Sequence, residues 1–554
     1  MSTSGPAGTI VGGRTSLPAR DFPVLPPYRT PTWRISFKAS MANSSSRTPF
    51  PSGGPIRPPA HRPPSRGSRQ GFALFVAIVL VVSGLAFAVR AAAGRNSAHA
   101  QGAPGTPSAG GSGGSGSGGT PSTGGSGSNG GTTLPANMPI KHVVFIIKEN
   151  RSFDSYFARY PGADGATTGK TCDGRTVPLK VLPDVQPYDI AHGFHAGIES
   201  IDGGKMDCFN MIGFGQYLAG YRSAVRETMP HYWGYADRFV LADHFFTSMY
   251  GPTFPEHLYT VAAQSNGIVD NKSTADHPGN YCDDPTEYSP AFQKNLTPTD
   301  IKTIMSLEEN AAKDDPANLY RIAKYWNSIR DCFDIKVLAD ELEANHISWH
   351  YYANPNAWMN GMQAIKHVRF GPMWKKVSSP DDFIGDVQSG NLPSVSWLIP
   401  PEGFNEHPGN GSSLCAGENW TVEQLNALQQ SKYWGSTAVV EIWDDFGGFY
   451  DHVAPPHYDV MGLGPRTPAL IISPWTKKGS NPLGGSIDHT TYESSSVLRF
   501  IEDIWHLHAL TKRDGQASPL AGAFDFTQKP DLRPLIYPYR SECPYGNAST
   551  NLPK

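Results

Sequence analysis

Four oxygen-bearing side chains stand in two pairs, and each pair follows an apolar strand. The four residues are Glu149, Asn150, Asp444 and Asp445. The first pair follows His142–Ile147 and a single lysine, and the second pair follows Thr437–Trp443. Continuous apolar runs are typical of buried parallel strands, and open α/β sheets build their sites at the carboxyl ends of such strands. Carboxylate and amide oxygens predict one divalent metal ion there, with Ca, Mg, Mn and Zn all open as its identity.

A hydroxyl residue in a restrained turn is a candidate nucleophile. Thr253 follows Gly251 and Pro252 and precedes another proline, Pro255. A helix that begins at this turn would direct backbone N–H groups and the positive end of its dipole towards a phosphate. A threonine in a Gly-Pro turn is more often structural, so the turn alone leaves both interpretations open.

Four histidines stand in motifs that could serve phosphoryl transfer. They are His192, His407, His452 and His489. An imidazole can protonate a leaving alkoxide or hold a phosphoryl oxygen, so several near one metal would suit that chemistry. Since the chain has 18 histidines, most of them must be ordinary surface or hydrogen-bonded residues.

The region that must position these groups alternates short apolar strands with helical stretches. Strands are predicted at His142–Ile147, Val395–Ile399, Ala438–Trp443 and Ala469–Ser473, and helices at Tyr320–Ile329, Ile335–Ala344, Val422–Gln429 and Tyr492–Trp505. This alternation favours an α/β fold with a large, mostly parallel sheet between helical layers. We predict one catalytic domain over residues 137–540, with a short tail over 541–554.

One stretch interrupts that alternation. Residues 267–316 are polar and show little periodicity, so they are predicted to be an inserted segment over the sheet edge. Such an insertion could roof a site or could be a plain surface excursion.

The N-terminal quarter differs in composition from the rest. Residues 1–70 hold ten Lys or Arg and one acidic residue and are predicted to form a disordered basic cytoplasmic arm. The uncharged run 71–89 is long enough to cross a bilayer. It could be a retained signal anchor or the apolar part of a signal peptide cleaved near Ala100, and Met41 is an alternative start. Residues 101–136 are predicted to be a flexible Gly/Ser-rich linker. Both interpretations place the catalytic domain outside the cytoplasm, either anchored to the membrane or secreted.

Charge and cysteine content narrow the environment and the partners. A formal net charge of -3 gives no case for a nucleic-acid partner. The six cysteines all follow the linker, and an even count in an exported domain predicts up to three disulfides with fifteen possible pairings.

Several motifs in a fixed order resemble one known family. They are Glu149-Asn150-Arg151-Ser152-Phe153-Asp154; His192 with Gly204-Lys205-Met206-Asp207; Gly251-Pro252-Thr253; Leu392-Pro393-Ser394-Val395-Ser396-Trp397 with Glu406-His407-Pro408; Trp443-Asp444-Asp445 with Gly448-Phe449-Tyr450-Asp451-His452; and Asp488-His489 with Leu498-Arg499-Phe500-Ile501-Glu502. The chain resembles the bacterial phosphoesterases that include the non-specific phospholipases C and the respiratory-burst-inhibiting acid phosphatases, within the alkaline phosphatase superfamily. The resemblance spans about residues 139–507.

The resemblance implies a fold and a role for each matched residue. The implied fold is a three-layer α/β/α sandwich like that of alkaline phosphatase. Glu149, Asn150, Asp444 and Asp445 match metal ligands, and Thr253 matches the nucleophile. His192 and His407 match histidines of the substrate pocket, and His407 is the first candidate for protonating the leaving group. His452 and His489 would contact substrate or brace the ligands.

This chain also departs from the family pattern. Glu256 stands where an Asn is expected after Pro255, Asp445 replaces a Glu, and Phe446-Gly447 replaces an Asn-Asp pair. These changes affect the expected head-group preference more than the expected reaction. The implied partner is a phosphate ester, with a phospholipid as one candidate, and the implied activity is phospholipase C-like. The alternatives are an acid phosphatase, a broad phosphodiesterase and a non-catalytic surface protein.

Overall fold

The computed structural model describes residues 134–135, 137–272, 281–312 and 315–543. The basic arm, the apolar run 71–89 and the cleavage site near Ala100 lie outside the described residues, as does all of the linker except residues 134 and 135. Most of the tail beyond residue 543 lies outside them as well. No helix among the described residues has the length and apolar character needed to cross a membrane.

Strands and helices alternate along the described chain. The strands are β1 His142–Lys148, β2 Thr168–Lys170, β3 Thr176–Pro178, β4 Lys180–Val181, β5 Arg222–Ser223, β6 Val240–Ala242, β7 Tyr288–Phe292, β8 Trp326–Arg330, β9 Trp349–Tyr352, β10 Val377–Ser378, β11 Val395–Leu398, β12 Thr437–Trp443, β13 Ala469–Ile472 and β14 Ser486–Asp488. The α-helices are α1 Phe153–Phe157, α2 Phe194–Ile201, α3 Pro230–Arg238, α4 Thr253–Ala262, α5 Pro298–Glu309, α6 Ala317–Ile322, α7 Leu338–Ala344, α8 Lys366–Arg369, α9 Asp382–Ser389, α10 Leu414–Gln429, α11 Ser494–Trp505 and α12 Lys512–Gln516.

Eight strands form one sheet in the order β10-β9-β11-β1-β12-β13-β6-β14. Every strand in it runs in the same direction except β13, which pairs antiparallel with both of its neighbours. The predicted large and mostly parallel sheet is therefore confirmed, and the four predicted strands lie in it as β1, β11, β12 and β13.

The sheet separates two hydrophobic layers. Val144 and Ile146 of β1 pack into one apolar cluster, whereas Val143, Phe145 and Ile147 pack into the other. Side chains alternate between the faces of a strand, so both faces of β1 are covered. Helices α3 and α10 contribute to the first cluster, and α4 and α11 contribute to the second. This arrangement is the expected three-layer sandwich.

The helix prediction at Tyr320–Ile329 is wrong in its second half. Helix α6 ends at Ile322, and the chain then enters β8, which pairs antiparallel with β7 so that Trp326 faces Phe292. A partner strand elsewhere in the chain thus overrides the local helical pattern. The other three predicted helices correspond to α7, α10 and α11, although α10 begins earlier, at Leu414.

The stretch 267–316 is more regular than its sequence suggests. It contains β7 and the 12-residue helix α5, while residues 273–280 and 313–314 lie outside the described chain. Helix α5 buries only Ile304 and Glu308, and it starts at a capping box formed by Thr297 and Asp300. Because this buried stripe is narrow, the sequence shows little apolar periodicity, and the pattern does not predict helix α5.

Three disulfides confirm the expectation from the cysteine count. They join Cys172 to Cys208, Cys282 to Cys332, and Cys415 to Cys543. The third one ties helix α10 to the end of the described chain. These cross-links restrict the unfolded chain and so stabilise the folded domain.

A buried ion pair lies beside the carboxyl end of β1. Lys148 Nζ is 2.6 Å from Glu406 Oε1, and both side chains are fully buried. Glu406 also accepts hydrogen bonds from Tyr156, Tyr232 and Trp443. The carboxylate is therefore fully partnered in a site without access to solvent, and it holds β1, α1, α3 and β12 together.

Removing the lysine should destabilise the fold strongly. We expect Lys148→Met to lower the free energy of unfolding by about 3–5 kcal/mol, because Glu406 would remain buried without its counter-charge. Urea denaturation with intact disulfides measures this difference. Lys478→Met is the matched control, since Lys478 is 3.7 Å from Asp531 and more than a third exposed, and it should cost no more than about 1 kcal/mol. Equal losses of unfolding free energy in the two variants would contradict the conclusion that Lys148 neutralises the buried Glu406.

Candidate metal and phosphoester site

The register of two central strands brings the predicted ligand pairs together. Strands β1 and β12 pair in parallel with Lys148 opposite Trp443, so the next residues on each strand are neighbours. Backbone hydrogen bonds continue past the strand ends, from Asp444 N to Lys148 O at 2.9 Å and from Arg151 N to Asp445 O at 2.8 Å. Both pairs therefore meet at one edge of the sheet, as the sequence predicted.

Asn150 links the two strand ends through its backbone and its side chain. Its N–H donates to Asp444 Oδ1 at 2.9 Å, and its Nδ2 lies 3.1 Å from both carboxylate oxygens of Asp445. Its backbone is left-handed, with φ of 60°. Asparagine tolerates that conformation better than most residues, which suits it to this sharp turn out of the strand.

A glycine permits the close approach of the second strand end. Gly447 has φ of 58°, and a Cβ there would lie 2.3 Å from the carbonyl oxygen of Asn150. Its N–H donates to Asp445 Oδ1 at 2.7 Å, which orients that carboxylate. Only glycine satisfies both the backbone conformation and the contact.

Thr253 begins helix α4 and points into the carboxylate group. Its Oγ1 lies 3.3 Å from Glu149 Oε2 and 3.3 Å from Asp445 Oδ2. The preceding turn is held by Glu256, whose fully buried carboxylate accepts the N–H groups of Ser248 and Met249. The expectation that a helix N-terminus follows the Gly-Pro turn is confirmed, and Glu256 has a structural task there.

The oxygen atoms of the site fit a cation. Glu149 Oε1, Asn150 Oδ1 and Asp444 Oδ2 are buried and have no hydrogen-bond partner among the described residues. Burial, followed by the charge of Asp445, raises the pKa of Glu149 to about 8. Burial and the charge of Glu149 raise the pKa of Asp444 well above its ordinary value. Such carboxyl groups are ionised together only beside a compensating positive charge.

His192 and His407 lie at a cavity next to this group. His192 Nε2 is 2.9 Å from Asn150 Nδ2, and its Nδ1 is 2.6 Å from the Ile190 carbonyl. The rings of His192 and His407 are 5.8 Å apart. The cavity has a volume of about 330 Å³ and is also lined by Asp189, Glu402, Asn405, Asn410, Phe254, Asn271, Lys272, Tyr281 and Trp358.

His452 and His489 lie in a different group. His452 is 2.7 Å from Asp154 Oδ2 and 3.2 Å from Asp164 Oδ1, and His489 is 2.8 Å from Asp243 Oδ1. The described contacts give neither histidine a partner among the four predicted metal ligands or Thr253. Their catalytic role therefore stays a prediction without support from a contact, whereas bracing of Asp154 and Asp243 is what these contacts provide.

Sequence reasoning did not single out His257. This fully buried imidazole has its Nε2 3.4 Å from Glu149 Oε1 and 3.8 Å from Asp444 Oδ2. Burial lowers the pKa of His257 below its ordinary value, against the charges of Asp444 and Asp445, which raise it. The available signal was spacing, because His257 follows Thr253 by four residues and so lies on the same face of α4.

The buried carboxyl groups predict how pH affects the metal-free protein. A carboxyl whose folded-state pKa is raised keeps a proton that the unfolded chain has lost, so stability falls as pH rises towards the folded pKa. For Glu149 this window runs from its ordinary value of 4.5 to about 8. The chelator-treated protein should therefore lose thermal stability between about pH 4.5 and about pH 8, and a divalent metal should restore more of it at the higher pH.

Scanning calorimetry with and without chelator measures both effects. Asp445→Asn is the comparison variant, since it removes one of the repelling charges and should flatten the pH dependence of the chelator-treated protein. Two results would contradict the assignment of a metal site here. One is a metal-free protein that becomes more stable as pH rises over this interval, and the other is a metal-induced increase in Tm that shrinks as pH rises.

Comparison with known proteins agrees with the ordered motifs. The model of the phosphoesterase family matches residues 140–508. The hemolytic phospholipase C of Pseudomonas aeruginosa is 26% identical over 406 residues, which cover 66% of this chain and 52% of that protein. Phospholipase C A of Mycobacterium tuberculosis is 24% identical over 464 residues, covering 71% and 78%. The chain spans about half the length of the first of these relatives.

Solved structures show a weaker likeness. Murine ectonucleotide pyrophosphatase/phosphodiesterase 5 is 11% identical with a TM-score of 0.32, covering 67% of this chain and 96% of that one. The fold is therefore assigned from the strand order and direction of the eight-stranded sheet. The family match spans both strand ends, Thr253 and the cavity histidines, and the chain belongs to the phosphoesterase family.

Proposed function

We propose that this protein is an exported, metal-dependent phosphoric ester hydrolase of the phospholipase C type that acts through a phosphothreonine intermediate. One observation carries the proposal: the Thr253 hydroxyl begins a helix and is flanked at 3.3 Å by Glu149 and at 3.3 Å by Asp445. A buried hydroxyl between two carboxylates has a nearby acceptor for its proton. It can therefore act as a nucleophile.

The metal would be held by Glu149, Asn150, Asp444 and Asp445. Support comes from the three orphaned buried oxygens on the first three of these residues. A divalent cation in this position supplies positive charge that stabilises the negative charge developing on the reacting oxygens.

In the first step, Thr253 attacks the phosphorus atom. The bond from Oγ1 to phosphorus forms, the bond from phosphorus to the alcohol oxygen breaks, and the hydroxyl proton passes to a flanking carboxylate. The departing alcohol needs a proton of its own. We assign that proton to His192, which lines the cavity. Burial disfavours the charged form of this ring, but the charges of Asp445 and Asp189 outweigh burial and raise the pKa of His192 to about 9.

His407 suits the second step better than the first. Its Nδ1 is 2.7 Å from the Pro408 carbonyl, so that nitrogen carries the ring proton and Nε2 is left to accept one. Burial, followed by the charge of His192, lowers the pKa of His407 to about 3. As water attacks phosphorus, its proton passes to the neutral His407 and the bond from phosphorus to Oγ1 breaks. Oγ1 takes back the proton held by the flanking carboxylate, which releases Thr253 and the phosphoryl product. The alternative role of His407, protonation of the leaving group, stays a prediction.

The cavity favours a diester with a positively charged head group. It carries the carboxylates of Asp189 and Glu402 and the aromatic rings of Phe254, Tyr281 and Trp358. Its lysine, Lys272, is 2.6 Å from Glu287 and thus already paired. Aromatic faces and carboxylates attract quaternary ammonium groups. The names of the relatives, which are phospholipases C, point to a phospholipid substrate.

Export is supported by the three disulfides, which persist in oxidising compartments. The apolar run 71–89 remains a predicted signal anchor or signal peptide.

The nucleophile can be tested directly. We expect Thr253→Ala to lower the hydrolysis rate of a chromogenic phosphodiester by about 10³-fold or more, because the attacking group is gone. Thr253→Ser keeps a hydroxyl and should retain activity within about tenfold. Acid quenching followed by mass spectrometry should find phosphate on residue 253 in the wild-type chain. Near-normal turnover by the alanine variant would overturn the mechanism.

Substrate choice separates the proposal from its alternative. We expect the full-length protein to release phosphocholine from phosphatidylcholine faster than it releases phosphate from an aromatic monoester. Glu402→Gln should lower kcat/KM for the choline lipid more than for an uncharged diester, since only the former has a cationic head group. Preference for the monoester would favour the acid phosphatase alternative, and failure on every ester would favour the non-catalytic one.

A further inference from the structure

His257 is a fully buried imidazole without a hydrogen bond. Neither its Nδ1 nor its Nε2 has a hydrogen-bond partner in the described part of the chain. Although Nε2 is 3.4 Å from Glu149 Oε1, the two atoms do not meet the geometry of a hydrogen bond. Burying polar ring atoms without partners is costly, so this position requires an explanation.

The two carboxylates beside it each divide their oxygens between different neighbours. Glu149 Oε2 faces the Thr253 hydroxyl, while Glu149 Oε1 has no partner. Asp444 Oδ1 accepts the N–H groups of Asn150 and Asp445, while Asp444 Oδ2 has none. Glu149, Asp444 and His257 each offer one ligand atom within 4.8 Å of the other two. His257 Nε2 is 3.4 Å from Glu149 Oε1 and 3.8 Å from Asp444 Oδ2. Three unpartnered and fully buried ligand atoms thus converge on one point.

We propose that His257 is a metal ligand, and that Glu149 Oε1, Asp444 Oδ2 and His257 Nε2 form a mixed nitrogen and oxygen position for a transition metal of the zinc class. The spacing suits such an ion. Zinc bonds to nitrogen and oxygen are about 2.1 Å long, so ligand atoms at a tetrahedral centre lie about 3.4 Å apart. The separations from His257 Nε2 are 3.4 Å to Glu149 Oε1 and 3.8 Å to Asp444 Oδ2.

The nitrogen ligand is what selects the metal class. Ca²⁺ and Mg²⁺ take oxygen ligands, whereas imidazole suits Zn²⁺ and its transition-metal neighbours. With Glu149, Asn150, Asp444 and Asp445 alone, all four candidate metals fit equally well. The imidazole of His257 distinguishes among these metals, because it favours Zn²⁺ over Ca²⁺ and Mg²⁺.

The described residues form three other clusters of acidic side chains with a histidine or cysteine. Asp189, His192 and His407 line the cavity already described, where both imidazole Nδ1 atoms face backbone carbonyls. The other two clusters have their charges or ligand atoms engaged. Between Asp154 and Asp451 lies the Arg466 guanidinium, with its Nε 2.8 Å from Asp451 Oδ1. The cluster of Asp202, Asp207 and Cys208 has lost its thiolate to a disulfide. In contrast, no Lys or Arg is recorded in an ion pair with Glu149 or Asp444 among the described residues.

The assignment of His257 as a metal ligand rests on the proposed function in one respect only: both use Glu149 and Asp444 as ligands. We therefore choose metal binding, measured without turnover, as its test. The full-length protein is stripped with chelator, and its affinities for Zn²⁺, Ca²⁺ and Mg²⁺ are measured by competition with a chromogenic chelator. The variant is His257→Gln. The matched control is His231→Gln, because His231 is also a buried imidazole near a carboxylate, 3.8 Å from Glu418.

The wild-type chain should bind Zn²⁺ far more tightly than Ca²⁺ or Mg²⁺. Loss of an outer-shell partner costs about 10- to 100-fold in metal affinity, so loss of the ligand itself in His257→Gln should cost Zn²⁺ binding about 100-fold or more. The same variant should change Ca²⁺ binding little, and His231→Gln should leave both affinities near wild type. The zinc X-ray absorption spectrum of the wild type should show the outer-shell scattering of an imidazole ring.

Two results would overturn the inference. One is a zinc spectrum of the wild type with oxygen ligands only, and the other is undiminished Zn²⁺ affinity in a folded His257→Gln protein. If that variant does not fold, the wild-type spectrum still decides. A protein that binds zinc through imidazole but hydrolyses no phosphate ester would overturn the proposed function and leave this inference intact.

Discussion

The constraint on which this structure depends is the burial of three carboxylates, Glu149, Asp444 and Asp445, at the ends of two adjacent strands. Burial away from solvent, followed by repulsion between neighbouring carboxylates, raises the pKa values of Glu149 and Asp444. The surrounding backbone offsets part of that repulsion, since N–H groups donate to Asp444 Oδ1 and Asp445 Oδ1. The remaining orphaned oxygens make the junction a place for a cation.

The same region shows how buried charge looks when the protein neutralises it itself. Glu406 is paired with Lys148 and accepts three further hydrogen bonds, and Asp451 is paired with Arg466. Those networks are closed and can serve as a rigid base. The carboxylates one residue beyond β1 and β12 have no such counter-charge recorded in the described chain. The fully paired carboxylates Glu406 and Asp451 thus form a rigid base beneath Glu149 and Asp444. A rigid base of this kind pre-organises the site, which favours catalysis.

One departure from the family pattern, Glu256, has a structural role at the start of helix α4. Glu256, where an Asn is expected, folds the turn before Thr253 by accepting the N–H groups of Ser248 and Met249. The next residue, His257, points its ring at Glu149 and Asp444 instead. Consecutive residues on helix α4 therefore act on different parts of the site. Because the first turn of α4 also carries Thr253, one helix sets both the hydroxyl and the imidazole against the strand ends.

The sequence by itself determined the α/β class, the central strands, the even cysteine count and the two pairs of oxygen-bearing side chains at strand ends, because apolar runs and strand-end residues are local patterns. Only the tertiary structure decided that Trp326–Arg330 pairs as a strand, which cysteines are joined, and that His452 and His489 contact Asp154 and Asp243. It also brought His257 to Glu149, which lies 108 positions earlier in the sequence. These facts depend on contacts between distant segments, and no local periodicity records which segments meet.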